Sequence, residues 1–318
     1  MTAFFEEAAG SAEKSYIAPL VRILYLGLPL GAVILTRAGH APAVCAIGHP
    51  DAPGLFRVRR GLPHEALLLG KPELEDPAVA EMIASAHCDV LLSWFWPRRI
   101  PVSLLSKVSR GAFGVHPSLL PRFRGPDPYF HAIDQGEQET GVTLHRLDAD
   151  YDTGAIVAQI PVSIRSDDTG WTLARRLDRP SLQLLVGCAE MLARGLDLEG
   201  SPQDESKATE APRPTDDDLA LQFLSEDASA LERRVRAAAP APGATALLED
   251  HLVTVERASL WKGTFPSALA PGEAFLAPPG MVVRARCGGL LLERVRLEDE
   301  DVLEGREIAA LFQGDQRR

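Results

Sequence analysis

The 318-residue chain is long enough for one large domain or two ordinary ones, and its 46% hydrophobic and 24% charged residues are those of a soluble globular protein. Its formal net charge of −11 weighs against an exposed nucleic-acid surface, which gathers Lys and Arg in clusters. Cys45, Cys88, Cys188 and Cys287 lie far apart, with no C-x-x-C pair and no histidine at metal spacing, so reduced thiols and no metal are expected.

The acidic start MTAFFEEAAGSAEKS lacks the basic-then-apolar order of a secretory signal, which points to a cytoplasmic protein. The apolar stretch YIAPLVRILYLGLPLGAVILT carries two prolines and two glycines. It reads as a buried strand, a turn and a packed helix rather than a membrane span. VRILYLG is the strand, closed by Gly27 and Pro29, and LGAVILTRAG the helix, with Gly39 suited to a left-handed cap. PAVCAIG follows as a strand, DPAVAEMIASAHC as a helix, DVLLSW as a strand, PVSLLSKVSRG as a helix and AFGVH as a strand. This alternation predicts an α/β domain with an open, mostly parallel, Rossmann-like sheet.

From Glu139 the pattern changes. TGVTLHRLD and GAIVAQIPVSI predict neighbouring strands joined by the loop ADYDTG. WTLARRLDRPSLQLLVGCAEMLARG predicts a helix pair or a kinked helix, because Pro180 fits poorly inside a helix. EGSPQDESKATEAPRPTDDD is acidic and polar and reads as a linker. ASALERRVRAAAP is an amphipathic helix, and HLVTVERA, GMVVRAR and GLLLERVRL are strands of a small β-barrel. The expected organisation is an N-terminal extension over 1–19, a first domain over 20–204 and a C-terminal domain over 205–318.

In an open parallel sheet, ligands sit beyond the carboxyl ends of the strands. Three loops fall there: SWFWPRRI, the turn around His116, and DADYDTG with Asp152. A carboxylate beside an imidazole favours the charged ring and fixes its orientation, as acid–base work near neutrality requires. A histidine in a chain with 8 of them is more often structural, and DTG is also an ordinary turn sequence, so the spacing by itself leaves both readings open.

HPSLLPRFRGPDPYF followed by TGVTLHRLDADYDTGAIVAQ resembles the signature of the folate-dependent formyltransferases. The resemblance extends to RILYLGLP and, through LERRVRAAAPAPGATALLEDHLVTVERA with Pro242, Gly243 and Ala244, to the C-terminal domain of the methionyl-tRNA branch. It implies 10-formyltetrahydrofolate as formyl donor and a primary amine as acceptor. It places the catalytic histidine on His116 and the catalytic aspartate on Asp152. The pterin-binding backbone falls on Arg98, Arg99 and Ile100, and on Ala149, Asp150, Tyr151 and Asp152. Trp94, Phe95 and Trp96 are either a wall for the pterin or core, and His145 reads as a strand residue near the site.

The family's third catalytic group is an asparagine two residues before the histidine, where this chain has Gly114. That amide donates to the oxyanion formed on acyl transfer, and losing one such donor typically costs about 10²–10³ in rate. Asp127 adds an anion that would not help an oxyanion. Active transfer, a folate- or metabolite-binding homologue without transfer, and deformylation by water admitted beside Gly114 therefore all stay open. A small amine is favoured over tRNA, since HPDAPGLFRVRRGLP offers only Arg57, Arg59 and Arg60 and the tail is acidic.

Overall fold

A computed structural model describes residues 21–49, 51–298 and 301–312, and the 1–19 extension lies outside them. The first elements follow the apolar punctuation of the sequence. β1 (Ile23–Gly27) is buried at every position, and α1 (Pro29–Arg37) opens on a proline, where a missing N–H costs nothing. Gly39 follows α1 at φ +87°, the left-handed conformation that lets His40 donate back to the Leu35 carbonyl. β2 (Val44–Ile47), α2 (Leu55–Gly61) and β3 (Leu67–Gly70) come next; the last two were not evident in the sequence. α3 (Pro77–Ser85) is capped by Asp76, whose carboxylate accepts from the Ala78 amide at 2.8 Å.

β4 (Val90–Trp94), the single-turn α4 (Val102–Leu105) and β5 (Ala112–His116) lead to α5 (Pro128–Asp134). β6 (Glu139–Arg146) and β7 (Ile156–Ser163) complete a seven-stranded sheet in the order β3-β2-β1-β4-β5-β6-β7. The pairs from β3 across to β5 are parallel, and β6 runs antiparallel to β5. This is the α/β, mostly parallel sheet expected. Its order reverses between β1 and β4, and the carboxyl ends of β4 and β5 carry two of the three loops singled out above. The third, DADYDTG, follows the antiparallel β6 and so starts beside Ala112, at the beginning of β5, contrary to the expectation that all three share one edge. Leu24, Leu26, Val44, Ala46, Leu91 and Ile83 form a core beneath it.

α6 (Gly170–Ala193) is one continuous 24-residue helix that contains Pro180, which excludes the helix pair among the two alternatives expected. α7 (Asp216–Leu219) and α8 (Ala228–Ala238) precede an antiparallel sheet. That sheet comprises β8 (Ala244–Leu248), β9 (His251–Leu260), β10 (Ala274–Ala277), β11 (Gly280–Arg284), β12 (Gly289–Leu297) and β13 (Val302–Glu304). The strand order is β10-β11-β12-β9-β8, with β13 on β12, and α8 packs on β9. No described helix is long and apolar enough to cross a membrane.

The chain divides into two compact units. Among the described residues, one gathers those up to Gly125 with Gly141–Val162 and Arg176–Glu210, and the other gathers Pro126–Thr140, Ser163–Arg175 and those from Ala211 on. Residues 201–210, read as linker from their polarity, therefore belong to the first unit. They bond to it closely: Arg124 N donates to Thr209 O at 2.8 Å, and Ile156 exchanges backbone bonds with Ser201.

Leu91 is fully buried in the centre of the first core. Leu91→Ala is expected to cost about 2–5 kcal/mol, read as a lower urea midpoint at unchanged m.

Candidate active site

β5 ends on His116, which is 6% exposed. The chain then turns through the loop 117–125, in which Phe123 adopts φ +60°. The His116 Nε2 lies 2.8 Å from the Phe123 carbonyl. A carbonyl only accepts, so Nε2 carries the hydrogen. The opposite nitrogen, Nδ1, faces the Asp152 Oδ2 at 3.4 Å and donates to it when the ring carries its second proton.

Asp152 lies on the β6–β7 loop with φ +58°, a costly conformation for a residue with a side chain. Its Oδ2 also accepts from the Gly125 amide at 3.0 Å, and its Oδ1 lies 3.7 Å from the His145 Nε2. One carboxylate is thus flanked by two imidazoles and a backbone N–H. Gly154 makes the loop's sharp return possible: a Cβ there would lie 1.9 Å from the Arg146 carbonyl oxygen.

His145 is a closer neighbour than its place on β6 suggested. Its Nδ1 donates to the Arg146 carbonyl at 2.9 Å, so in the neutral ring Nε2 is bare. Burial, seconded by repulsion from His116, lowers its pKa below the ordinary histidine value, against the attraction of Asp152.

Gly114 pairs with His145 across the β5–β6 ladder. A Cβ at 114 would lie 2.8 Å from Leu147 Cδ2 and 3.3 Å from His145 Nε2. The room for water beside Gly114 that the sequence suggested is therefore occupied by protein side chains. The aromatic run divides. Trp94 is 1% exposed, and Trp96 packs against the main core with the Arg98 guanidinium over its ring at 4.9 Å. Phe95, at φ +55°, makes an edge contact with Trp94.

The two loops assigned to ligand-binding backbone meet. Arg99 Nε donates to the Ala149 carbonyl at 3.1 Å, its Nη2 adds a second, shorter bond to the same oxygen, and the guanidinium pairs with Asp150 at 3.3 Å. Arg98 is bound to Glu73 and the Pro72 carbonyl, and Ile100 packs on the core. Tyr151 is exposed. Asp127, in the second unit, precedes α5, and burial raises its carboxyl pKa. Arg57, Arg59 and Arg60 stand on α2, Arg60 over the Phe56 ring.

Sequence reasoning missed Gln203 and Arg124. Arg124 is buried, and its guanidinium makes a two-pronged pair with Glu205 at 2.9 and 2.7 Å. That bond is the main cause of a raised arginine pKa and of a lowered Glu205 pKa. The polar run PQDES, taken as linker, was the available signal.

Both parts of the chain resemble known proteins. The family described as formyl transferase matches residues 46–188, and the formyl transferase C-terminal domain matches 214–313. A methionyl-tRNA formyltransferase of Anaeromyxobacter dehalogenans is 33% identical over 308 residues, covering 91% of this chain and 96% of that protein. The structure of HypX from Aquifex aeolicus in complex with tetrahydrofolic acid superposes with a TM-score of 0.64 at 19% identity, over 93% of this chain but only 48% of that one. An N-formyltransferase from Helicobacter canadensis, in complex with folinic acid and dTDP-3-aminofucose, gives 0.62 at 13% identity, over 90% and 99% of the chains.

The lowered His145 pKa sets a pH dependence. Between the folded value and about 6.5 the unfolded chain binds the extra proton, so stability rises with pH through that window. Urea midpoints compared at about pH 7.5 and about pH 5.5 should fall on acidification, and by less in His145→Gln.

Proposed function

From a chain that belongs to the formyl transferase family, we propose formyl transfer from 10-formyltetrahydrofolate to a primary amine, with methionyl-tRNA as the first acceptor to test. The observation that carries this reading is the His116–Asp152 pair at the carboxyl end of β5. The donor supplies an electrophilic formyl carbon; the chain supplies position and proton handling. Asp152 orients the His116 ring through Nδ1, and the ring releases or takes a proton as the amine changes charge.

The side chains of Arg98, Arg99 and Ile100 are engaged with the protein, which leaves the backbone of that loop to meet a flat heteroaromatic ligand. Its neighbour at Ala149–Asp152 is tied to it through Arg99, so the two loops fit a shared pterin cradle.

Methionyl-tRNA moves ahead of the small amine because relatives of that name align over nearly their whole length, both domains included. A small amine is the second reading, favoured by the net charge of −11. Mass spectrometry after incubation with 10-formyltetrahydrofolate separates them: a formylated methionyl-tRNA supports the first, and a formylated amine from a panel supports the second. Folate binding with no formyl product overturns both and leaves a binding protein. His116→Asn and Asp152→Asn are each expected to lower the transfer rate by about 10²–10⁴.

Gly114 leaves no side-chain amide beside His116, so slow transfer is expected. Gly114→Asn alone drives its Cβ against Leu147 and is expected to give no gain. Gly114→Asn with Leu147→Ala clears that contact and is expected to raise the rate by about tenfold or more, measured as formyl product per unit time.

A further inference from the structure

The first unit's last segment, 201–210, places one side chain against both halves of the site. The Gln203 Nε2 lies 2.7 Å from the Asp152 carbonyl and 2.8 Å from the Gly154 carbonyl. Its Oε1 accepts from Arg124 Nε at 3.1 Å and Nη2 at 2.7 Å. Only one orientation of the amide fits, because the reverse would set an oxygen against two carbonyl oxygens and an NH₂ group against a guanidinium. Both amide hydrogens and both lone pairs are then used. No other standard side chain of this length offers two donors and two acceptors on a planar fork.

What Gln203 joins matters for chemistry. On one side are the carbonyls flanking Thr153, on the loop that holds Asp152 at φ +58°. On the other is Arg124, whose next residue, Gly125, donates its amide to the Asp152 Oδ2. The carboxylate is thus fixed from behind by its own backbone and from in front by the Gly125 amide, and Gln203 ties those two supports together. The charged and titratable groups around it include Arg124 with Glu205 and Glu210, Asp204 beside Glu205, Asp152 and, beyond Asp152, His116 and His145. The adjacent Thr209 secures the other partner of His116: its Oγ1 accepts from the Phe123 amide at 2.9 Å.

We propose that Gln203 is a positioning residue for the His116–Asp152 pair: its amide fixes the loop that aims the Asp152 carboxylate at the His116 Nδ1. This deepens the proposed function, since it concerns the same site. Gln203→Glu separates the two links. A carboxylate keeps and strengthens the bond to Arg124, yet it has no hydrogen to give the Asp152 and Gly154 carbonyls and is repelled by them.

The test follows the His116 ring by NMR across pH in the full chain, a measurement that needs no acceptor. Asp152→Asn serves as the reference, and Asp204→Ala, which loosens the same segment through its Ser206 bonds, serves as the structural control. In Gln203→Glu the His116 titration is expected to move to lower pH, in the direction of Asp152→Asn and by at least about half its extent. Asp204→Ala is expected to leave it in place. The transfer rate of Gln203→Glu should fall by about tenfold or more, as expected of a misaimed group. Gln203→Met, which loses both links, should shift the titration likewise should the glutamate variant fold poorly.

A wild-type His116 titration in both Gln203 variants overturns the proposal, as does an equal shift in Asp204→Ala. Should wild-type protein formylate nothing, the proposed function fails, and the titration still decides whether Gln203 aims Asp152.

Discussion

The site depends on a single carboxylate held in an unfavourable backbone. Asp152 at φ +58° carries a cost of about 1–3 kcal/mol that the surrounding bonds must offset. They come from the Gly125 amide on the carboxylate and from the Gln203 amide on the loop's carbonyls, with His116 completing the set. Phe123, on the other side of His116, repeats the arrangement at φ +60°, its amide taken by Thr209 and its carbonyl by the imidazole. The ring is therefore gripped by two strained residues, and both are tied down by the segment 201–210.

This explains why much of the architecture was legible and part of the site was not. β1, β2, β4 and β5 are short apolar runs buried on both faces of a sheet, the strongest local signal a sequence offers. β3 is half-exposed, and α2 follows a proline-rich turn, so neither stood out. Pro180 suggested a helix pair or a kink because it removes a backbone donor, and α6 runs through it as one helix.

His116 and Asp152 were singled out through a motif, and Arg99 reaches from the first to the second of the stretches read as pterin-binding backbone. Gln203 was hidden because polarity and prolines mark a linker only when nothing elsewhere receives those polar groups. Here the receiver is Arg124, 79 residues away in sequence and buried. Local composition carries no trace of such a partner. His145 was set aside as a strand residue for a similar reason: its approach to Asp152 depends on a loop that turns back only because Gly154 has no side chain.

The packing around Gly114 also ties that position to a residue on the loop after β6. A leucine methyl lies 2.8 Å from where a side chain at 114 would begin, so the space beside the glycine is filled by its neighbour. A larger side chain at 114 is admitted only as Leu147 yields. Positions 114 and 147 thus form a coupled pair whose volumes trade against each other, so a change at one is felt through the other.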